Sequence, residues 1–375
     1  MTASKKSKKP KAIWPVLLCL FGLVGTGLGA IGAYTPPVDS AIWALFGLAF
    51  PVSSGVLILG TAGAWVARRW KWGIVGLLAL VMCLPQVSST WGGLSAPSAK
   101  AIDSDAGLRV LTWNVRQFNR YGWIERADVR DSMLAYLASQ EADVICLQEC
   151  FLEERRNPWM SSDRLKKATG LSHWQEEFKL GRGHDKLFGL AVLSRYPILN
   201  KEALRFENDK NNSAMHVDLL INGDTVRVFN LHLSSIGFEK EDYEAARNVG
   251  DEANRTRLLT RLAHAWNKRA TQAEAVAEAI RVSPYPTVVA GDFNDTPVSY
   301  ASQQMRYELS DAFAAVRPQN AALLGSTYIG DLPLLRIDQI WASDELQVRH
   351  YITGDVELSD HRPVCAVFEL AISED

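Results

Sequence analysis

Residues 286–295 read PTVVAGDFND, a short branched apolar run that finishes on a carboxylate, Asp292, with an amide, Asn294, two positions on. A run of this length, opened by proline and closed by Gly, Asp and Asn, reads as a buried β-strand. A strand ending on a charged group delivers that group to the rim of a sheet, where ligands bind. The design recurs in both directions along the chain. RVLTWNV (109–115), ADVICLQE (142–149), FGLAVLS (188–194), MHVDLLI (215–221), TVRVFNLHL (225–233), RIDQIWA (336–342) and PVCAVFEL (363–370) are all strand candidates. Between them lie helical patterns over 128–139 and 252–282, the second with Leu258, Leu262, Ala265, Trp266 and Ala273 at helical spacing. Asn222-Gly223-Asp224 joins two of the strands as a tight hairpin. Hairpins mixed with helices predict an α/β (α+β) fold of packed sheets with helices outside, in place of a simple doubly wound parallel sheet.

Polar residues fall at or near the C-terminal ends of these strands, in the order Asn114, Glu149, Asn230 with His232, Asp292 with Asn294, Asp338, and Asp360 with His361. Each alone is an ordinary turn former or cap. The ordered set carries the weight. TWNV, LQE, NLHL, GDFND, IDQIW and SDHRP, in this order and rough spacing, resemble the motifs of the endonuclease/exonuclease/phosphatase superfamily, which includes deoxyribonucleases, abasic-site endonucleases, neutral sphingomyelinases and inositol-polyphosphate 5-phosphatases. The resemblance implies a four-layer αββα sandwich over residues 107–375 with its site at one end, between two sheets. It further implies that Asn114 and Glu149 hold a catalytic Mg²⁺ or Mn²⁺, with Asp360 near a second metal position. On the same basis Asp292 and Asn294 orient or activate the attacking water, His232 and His361 bind the scissile phosphate, and Asp338 pairs with His361.

Phosphoester chemistry asks for this mixture in any case. The substrate is an anion that repels a nucleophilic water, and Mg²⁺, which prefers oxygen ligands such as Glu149, neutralises it. A histidine kept protonated by a carboxylate, as His361 beside Asp338, donates to phosphoryl oxygens as charge shifts. Asp292 is then free to act as base, positioned by Asn294. An oxygen-rich donor set disfavours zinc. Glu149, His232, Asp292 and His361 are all present, which disfavours a catalytically dead scaffold. His184, Asp185 and Lys186 form a Gly-flanked loop of weaker interest, and Arg195 reads as structural. Tyr243, Arg255, Arg257, Lys268 and Arg269 border the long helix and face either the site or water.

The N-terminal third has another character. Residues 1–100 carry nine basic residues and one acid, Asp39, leaving 31 basic and 41 acidic residues in 101–375. An acidic catalytic half counts against bulk nucleic acid as substrate. Uncharged runs over 12–34, 40–67 and 73–92 predict three transmembrane helices in a region 12–93, between a basic cytoplasmic segment 1–11 and a linker 94–106. Pro51 is expected to kink or split the second run. Lys5, Lys6, Lys8, Lys9 and Lys11, with Arg68, Arg69 and Lys71, orient the N-terminus inside. Three spans then deliver the catalytic domain to the extracytoplasmic face of the cell membrane, the periplasm in a bacterium. The expected function is hydrolysis of a lipid headgroup or small phosphorylated molecule, with a membrane-anchored nuclease acting on DNA or RNA as the alternative. The partners expected are the bilayer and the phosphoester, with no specific protein partner. Cys146 and Cys150, four apart and without a second metal-binding pair, read as packing residues.

Overall fold

The computed structural model describes residues 13–92, 107–153, 155–180, 186–206, 209, 212–237, 242, 248, 250–320, 324–330 and 334–370. Five helices come first: α1 (Trp14–Tyr34), α2 (Ile42–Leu48), α3 (Phe50–Val66), α4 (Trp70–Met82) and α5 (Leu84–Thr90). The rest runs β1 (Leu108–Asn114), α6 (Val129–Ser139), β2 (Val144–Glu153), α7 (Ser162–Thr169), β3 (His173–Leu180), β4 (Lys186–Ser194), β5 (Ile198–Arg205), β6 (Ser213–Ile221) and β7 (Asp224–His232). It closes with α8 (Glu252–Arg281), β8 (Thr287–Asp292), α9 (Tyr300–Arg306), β9 (Ser310–Asp311), α10 (Ala312–Asn320), β10 (Asp338–Ala342), β11 (Leu346–Thr353) and β12 (Val364–Leu370).

The strands form two six-stranded sheets, ordered β11-β12-β1-β2-β4-β3 and β5-β6-β7-β8-β10-β9. Alternation along each strand decides what each face meets. Val110, Val144 and Val192 of the first sheet interlock with Val217, Val228, Val288 and Ile340 of the second. Their neighbours Leu111, Trp113, Ile145 and Leu193 turn the other way, onto Met133 and Leu137 of α6 and Leu165 of α7. Phe229, Val289 and Trp341 do the same on the far side, against Ala273, Val276 and Ile280 of α8 and Met305 of α9. Both faces of both sheets are therefore covered, giving the expected four layers. Cys146 belongs to the inter-sheet core and Cys150 to the outer one, as packing residues. The Asn222-Gly223 turn has both φ values positive, 53° and 102°, as a two-residue hairpin with right-handed strand twist demands.

In the helical region only α1, 21 residues and about 31 Å long, is by itself long and apolar enough to cross a membrane. α2 with α3, and α4 with α5, reach that length only as pairs bent by 57° and 80°. The first bend falls at Ala49, just before Pro51, which occupies the first turn of α3 where its missing N–H costs nothing. Small residues let these helices touch: a Cβ added at Gly22 of α1 would overlap Leu57 of α3, and one at Gly60 would overlap the backbone at Cys19.

The two ends of this bundle differ. At one, Gly63 packs on Trp14 and Pro15, close to the basic turn Arg68, Arg69 and Lys71. At the other, Ala33, Phe50 and Val87 close around Val298 of the sandwich. There Arg306 Nη2 donates to Ser89 Oγ at 2.7 Å and Arg336 Nη2 to the Ser89 carbonyl at 2.9 Å. Arg336 is buried, paired with the equally buried Asp311 at 2.6 Å and stacked over Phe313.

Candidate active site

Two parallel pairings, β1 with β2 and β7 with β8, bring the C-terminal ends of those strands to one edge of the sandwich. Asn114 ends β1, His232 ends β7 and Asp292 ends β8. Three other residues arrive differently from the sequence expectation. Asp338 begins β10, whose antiparallel pairing sets it opposite Asp292, and Asp360 and His361 precede β12. Glu149 does not end its strand either. It sits at a bulge in β2, with φ at 47°, where the register to β4 slips and the strand continues to Glu153. Asn230, one of the strand-end polar residues, is an inter-sheet strut: its Nδ2 donates to the Leu147 and Ala191 carbonyls and its Oδ1 accepts from Gln148.

Seven of the eight expected residues, Asn114, Glu149, His232, Asp292, Asn294, Asp360 and His361, line one cavity of about 210 Å³. Asp338 stands behind His361, whose Nδ1 donates to Asp338 Oδ2 at 2.9 Å. Asp338 is held in turn by Thr327, whose hydroxyl oxygen accepts from the backbone N–H groups of Ile337 and Asp338. Asp292 is buried and clamped, accepting at Oδ1 from the Asn294 N–H at 2.8 Å and at Oδ2 from Asn114 Nδ2 at 3.0 Å. His232 Nε2 and His361 Nε2 lie 3.7 and 3.8 Å from the same Oδ2. Asn294 reaches this position through a left-handed φ of 51° and donates from Nδ2 to the Leu233 carbonyl.

Burial pushes the Asp292 carboxyl above the ordinary range, against the pull of the two histidines. Burial alone would push His361 down, but the adjacent Asp338, Asp292 and Asp360 outweigh it and raise the imidazole to about 10. The same pair of shifts favours the protonated imidazole at His361 and makes the Asp292 carboxyl more basic, an acid and a base side by side.

Asp292, Asp338 and His361 offer ligand atoms within 4.8 Å of one another, the spacing of a metal cluster. Within this trio His361 Nδ1 is already engaged by Asp338 Oδ2, a pairing suited to proton transfer. Positive charge is called for on the Glu149 side. Glu149 is partly exposed to the cavity and has no cationic partner among the described residues. Asn114 sets the positive end of its amide between Glu149 Oε1, at 3.3 Å, and Asp292 Oδ2. Glu149 is a hard oxygen donor in want of a counter-charge and fits a hard divalent ion, while the neighbouring Asn114 Oδ1 accepts from the Arg116 N–H at 3.1 Å. Asp360 is engaged at both oxygens, its Oδ2 paired at 3.2 Å with Arg116, which also stacks on Trp123, and its Oδ1 accepting from the Ser359 hydroxyl at 3.2 Å.

Arg116 escaped the sequence reading although it directly follows TWNV. It opens four consecutive residues, Arg116 to Asn119, with positive φ, an uncommon conformation for side chains other than glycine. Ser235, Ile236, Gly237, Tyr328, Leu335 and Ile337 complete the cavity wall. They lie outside any periodic run or, for Ile337, look like ordinary strand core, and only Tyr328, bridged to His361 with its ring 5.2 Å away, has a contact that marks it. Of the weaker candidates, Arg269 faces neither site nor water. It is buried, paired with Asp295 at 3.0 Å and bonded to the Ser234 carbonyl, because its helix face turns inward there. Arg195 pairs with Asp143 at the opposite end of the sheet from the site. Arg257 is exposed and pairs with Asp242, Arg255 is exposed, and Lys268 is half-buried. His184, Asp185 and Tyr243 lie outside the described residues, and Lys186 opens β4.

Residues 111–361 match the model of the endonuclease/exonuclease/phosphatase family. The chain belongs to that family. Its members are phosphoester hydrolases and are generally dependent on divalent metal, so this chain is a phosphoester hydrolase. Residues 8–90 match a domain of unknown function (DUF8431). A UPF0294 protein of Vibrio vulnificus is 24% identical over 280 residues, 72% of this chain and 80% of that protein. Among solved structures, the human nocturnin catalytic domain with bound sulfate anion aligns with a TM-score of 0.51 at 17% identity, over 71% of this chain and 94% of that one. An endonuclease/exonuclease/phosphatase protein from Bacteroides vulgatus aligns at 0.50 and 18% identity, covering 70% of this chain and 99% of its own. D. rerio TDP2 complexed with a single-strand DNA product aligns at 0.50 and 17%, covering 71% and 100%. At such identities the likeness is one of fold.

Proposed function

We propose that this chain is a membrane-anchored phosphoester hydrolase dependent on Mg²⁺ or Mn²⁺, acting on a lipid headgroup or a small phosphorylated molecule outside the cytoplasm. The observation that carries the reading is the dock. The sandwich packs on the end of the helical bundle opposite the basic turn Arg68, Arg69 and Lys71. If basic turns stay cytoplasmic, the catalytic half belongs on the other side. The bent pair α2–α3 supplies the second crossing and α4, before the turn into α5, the third of an odd count.

Glu149 and Asn114, with Asp360 beside them, would hold the cation, which supplies charge neutralisation at the phosphoryl oxygens and a more acidic water. The protein's own groups do the rest. Asp292, clamped by Asn294 and Asn114, takes the proton from the attacking water. His361, kept charged by Asp338, donates from Nε2 to the phosphoryl group as negative charge builds, and His232 supplies a second nitrogen to the same oxygens.

The test is the full-length chain in phospholipid vesicles, with Mg²⁺ or EDTA, supplied with plasmid DNA and with soluble phosphoesters. Release of headgroup or phosphate, lost in EDTA and in His361→Ala, is the expected result. Cutting of DNA with neither lipid nor small phosphoester turned over would replace this reading with that of a nuclease.

A further inference from the structure

The dock and the catalytic cavity share a wall. A crevice at the foot of the helical bundle is lined by Pro51, Ser89, Thr90, Val298, Leu334 and Leu335, among others, and Leu335 also lines the cavity that holds His361. Arg336, next in the chain, is buried against Asp311 and the Ser89 carbonyl, so its charge is withdrawn from the surface. Leu334 and Leu335, the described residues beside it, are apolar. Leu334 is 66% exposed and is held at a positive φ of 85°, a strained conformation for a branched side chain. Strain that keeps a leucine in water has no reward in a soluble protein. It has one where the leucine meets hydrocarbon, since an interfacial leucine there leaves water altogether.

The geometry of α5 agrees. It breaks from α4 by 80° and lies across the end of the bundle, with Gln86, Ser89 and Thr90 buried. A helix so turned at the end of a membrane bundle runs along the bilayer surface, which puts Ser89 and the residues bonded to it at that level. From Ser89 the path to the site is two contacts long. Arg336 joins Ser89 to the 334–336 segment, and the Leu335 carbonyl accepts from the backbone N–H groups of Thr327 and Tyr328, whose ring stands against His361.

We propose that Leu334 and Leu335 form a lip that enters the bilayer surface beside α5, and that the substrate is a membrane phospholipid whose glycerol and acyl end rests on this lip while its phosphate enters the cavity. This deepens the functional reading above and rests on it. A soluble phosphoester reaches the same His361 and Asp292 without touching Leu334, which lies outside that cavity.

The experiment uses the full-length chain in vesicles of phosphatidylethanolamine and phosphatidylglycerol, with bis(p-nitrophenyl) phosphate as the soluble comparison, for wild type, Leu334→Asp and Leu334→Phe. Leu334 is exposed, so neither substitution threatens the fold. The expected result is at least a tenfold fall in lipid turnover for Leu334→Asp, wild-type lipid turnover in Leu334→Phe, and soluble-diester rates unchanged in both. A Leu334→Cys variant carrying a fluorophore is expected to be quenched by lipids bearing a spin label near the headgroup. Lipid turnover by the wild type that Leu334→Asp leaves intact, or an absence of quenching, overturns the lip while leaving the functional reading standing. Wild type that hydrolyses the soluble diester or DNA but no lipid overturns the lipid substrate itself.

Discussion

Replacing Asp338 by Asn keeps the shape of the group behind His361 and removes its charge. In the wild type His361 is raised to about 10 in spite of its burial, because Asp338 lies 2.9 Å from Nδ1 and Asp292 3.8 Å from Nε2. A unit charge pair near contact is worth about 4 kcal/mol at an effective dielectric constant of about 20. At about 1.4 kcal/mol per pKa unit, loss of Asp338 lowers His361 by about three, to about 7. The sign follows from the direction of the shift. A raised histidine contributes stability in full below its unfolded value near 6.5, and that contribution is lost as pH rises through about 10. The acid needed for catalysis is lost over the same high range. In the variant the loss moves down, so at pH 8.5 only about 3% of His361 stays protonated, and kcat/KM falls about thirtyfold relative to its value at pH 6. The assay is the pH profile of kcat/KM on bis(p-nitrophenyl) phosphate at saturating Mg²⁺. A basic limb within about one pH unit of the wild type, or a loss equal at every pH, would refute the electrostatic reasoning and leave Asp338 as a holder of ring orientation alone.

Glu149→Ala removes the carboxylate that lacks a cationic partner among the described residues, and the Mg²⁺ concentration for half-maximal rate is expected to rise at least tenfold, read by metal titration and by calorimetry of Mg²⁺ binding; unchanged Mg²⁺ affinity would put the cation elsewhere. Arg269→Met leaves the Asp295 carboxylate buried without its partner, at a cost of about 3–5 kcal/mol, seen as a drop of several degrees in the thermal unfolding midpoint; a loss under about 1 kcal/mol would mean the pair is solvated. Gly22→Leu drives a side chain into Leu57 and is expected to lower the unfolding midpoint in detergent, whereas Gly27→Leu, which meets nothing within 4 Å, is expected to leave it unchanged; equal behaviour of the two would dissolve the close α1–α3 packing.

What was legible in the sequence, and what was not, divides along a physical line. The strands found from apolar runs are those covered on both faces: β1, β2, β4, β6, β7, β8, β10 and β12. The four that were missed, β3, β5, β9 and β11, are the four sheet edges. HWQEEFKL and ILNKEALR alternate charged with apolar residues because an edge strand is wetted on one side and blunted by charge. The catalytic set was readable for the converse reason. An Asp, Glu or His that interrupts an apolar run is expensive to bury, and a fold carries that expense where chemistry repays it.

The dock obeys neither rule, which is why it left no trace in the pattern. Its polar parts are one serine at the end of a short helix and two arginines, types that read as surface in any window, and its apolar parts, Ala33, Phe50, Val87 and Val298, read as members of their own separate segments. Arg336 could be buried only because Asp311 and the Ser89 carbonyl, 25 and 247 residues away, meet it. Removing Asp311 would strand a buried cation at a cost of several kcal/mol, so helical region and sandwich hold each other through a group that neither could bury alone. Two positions after Arg336 comes Asp338, which holds His361. Any tilt of the helical bundle against the sandwich therefore acts on a segment that is fixed at Ser89 on one side and carries part of the catalytic machinery on the other.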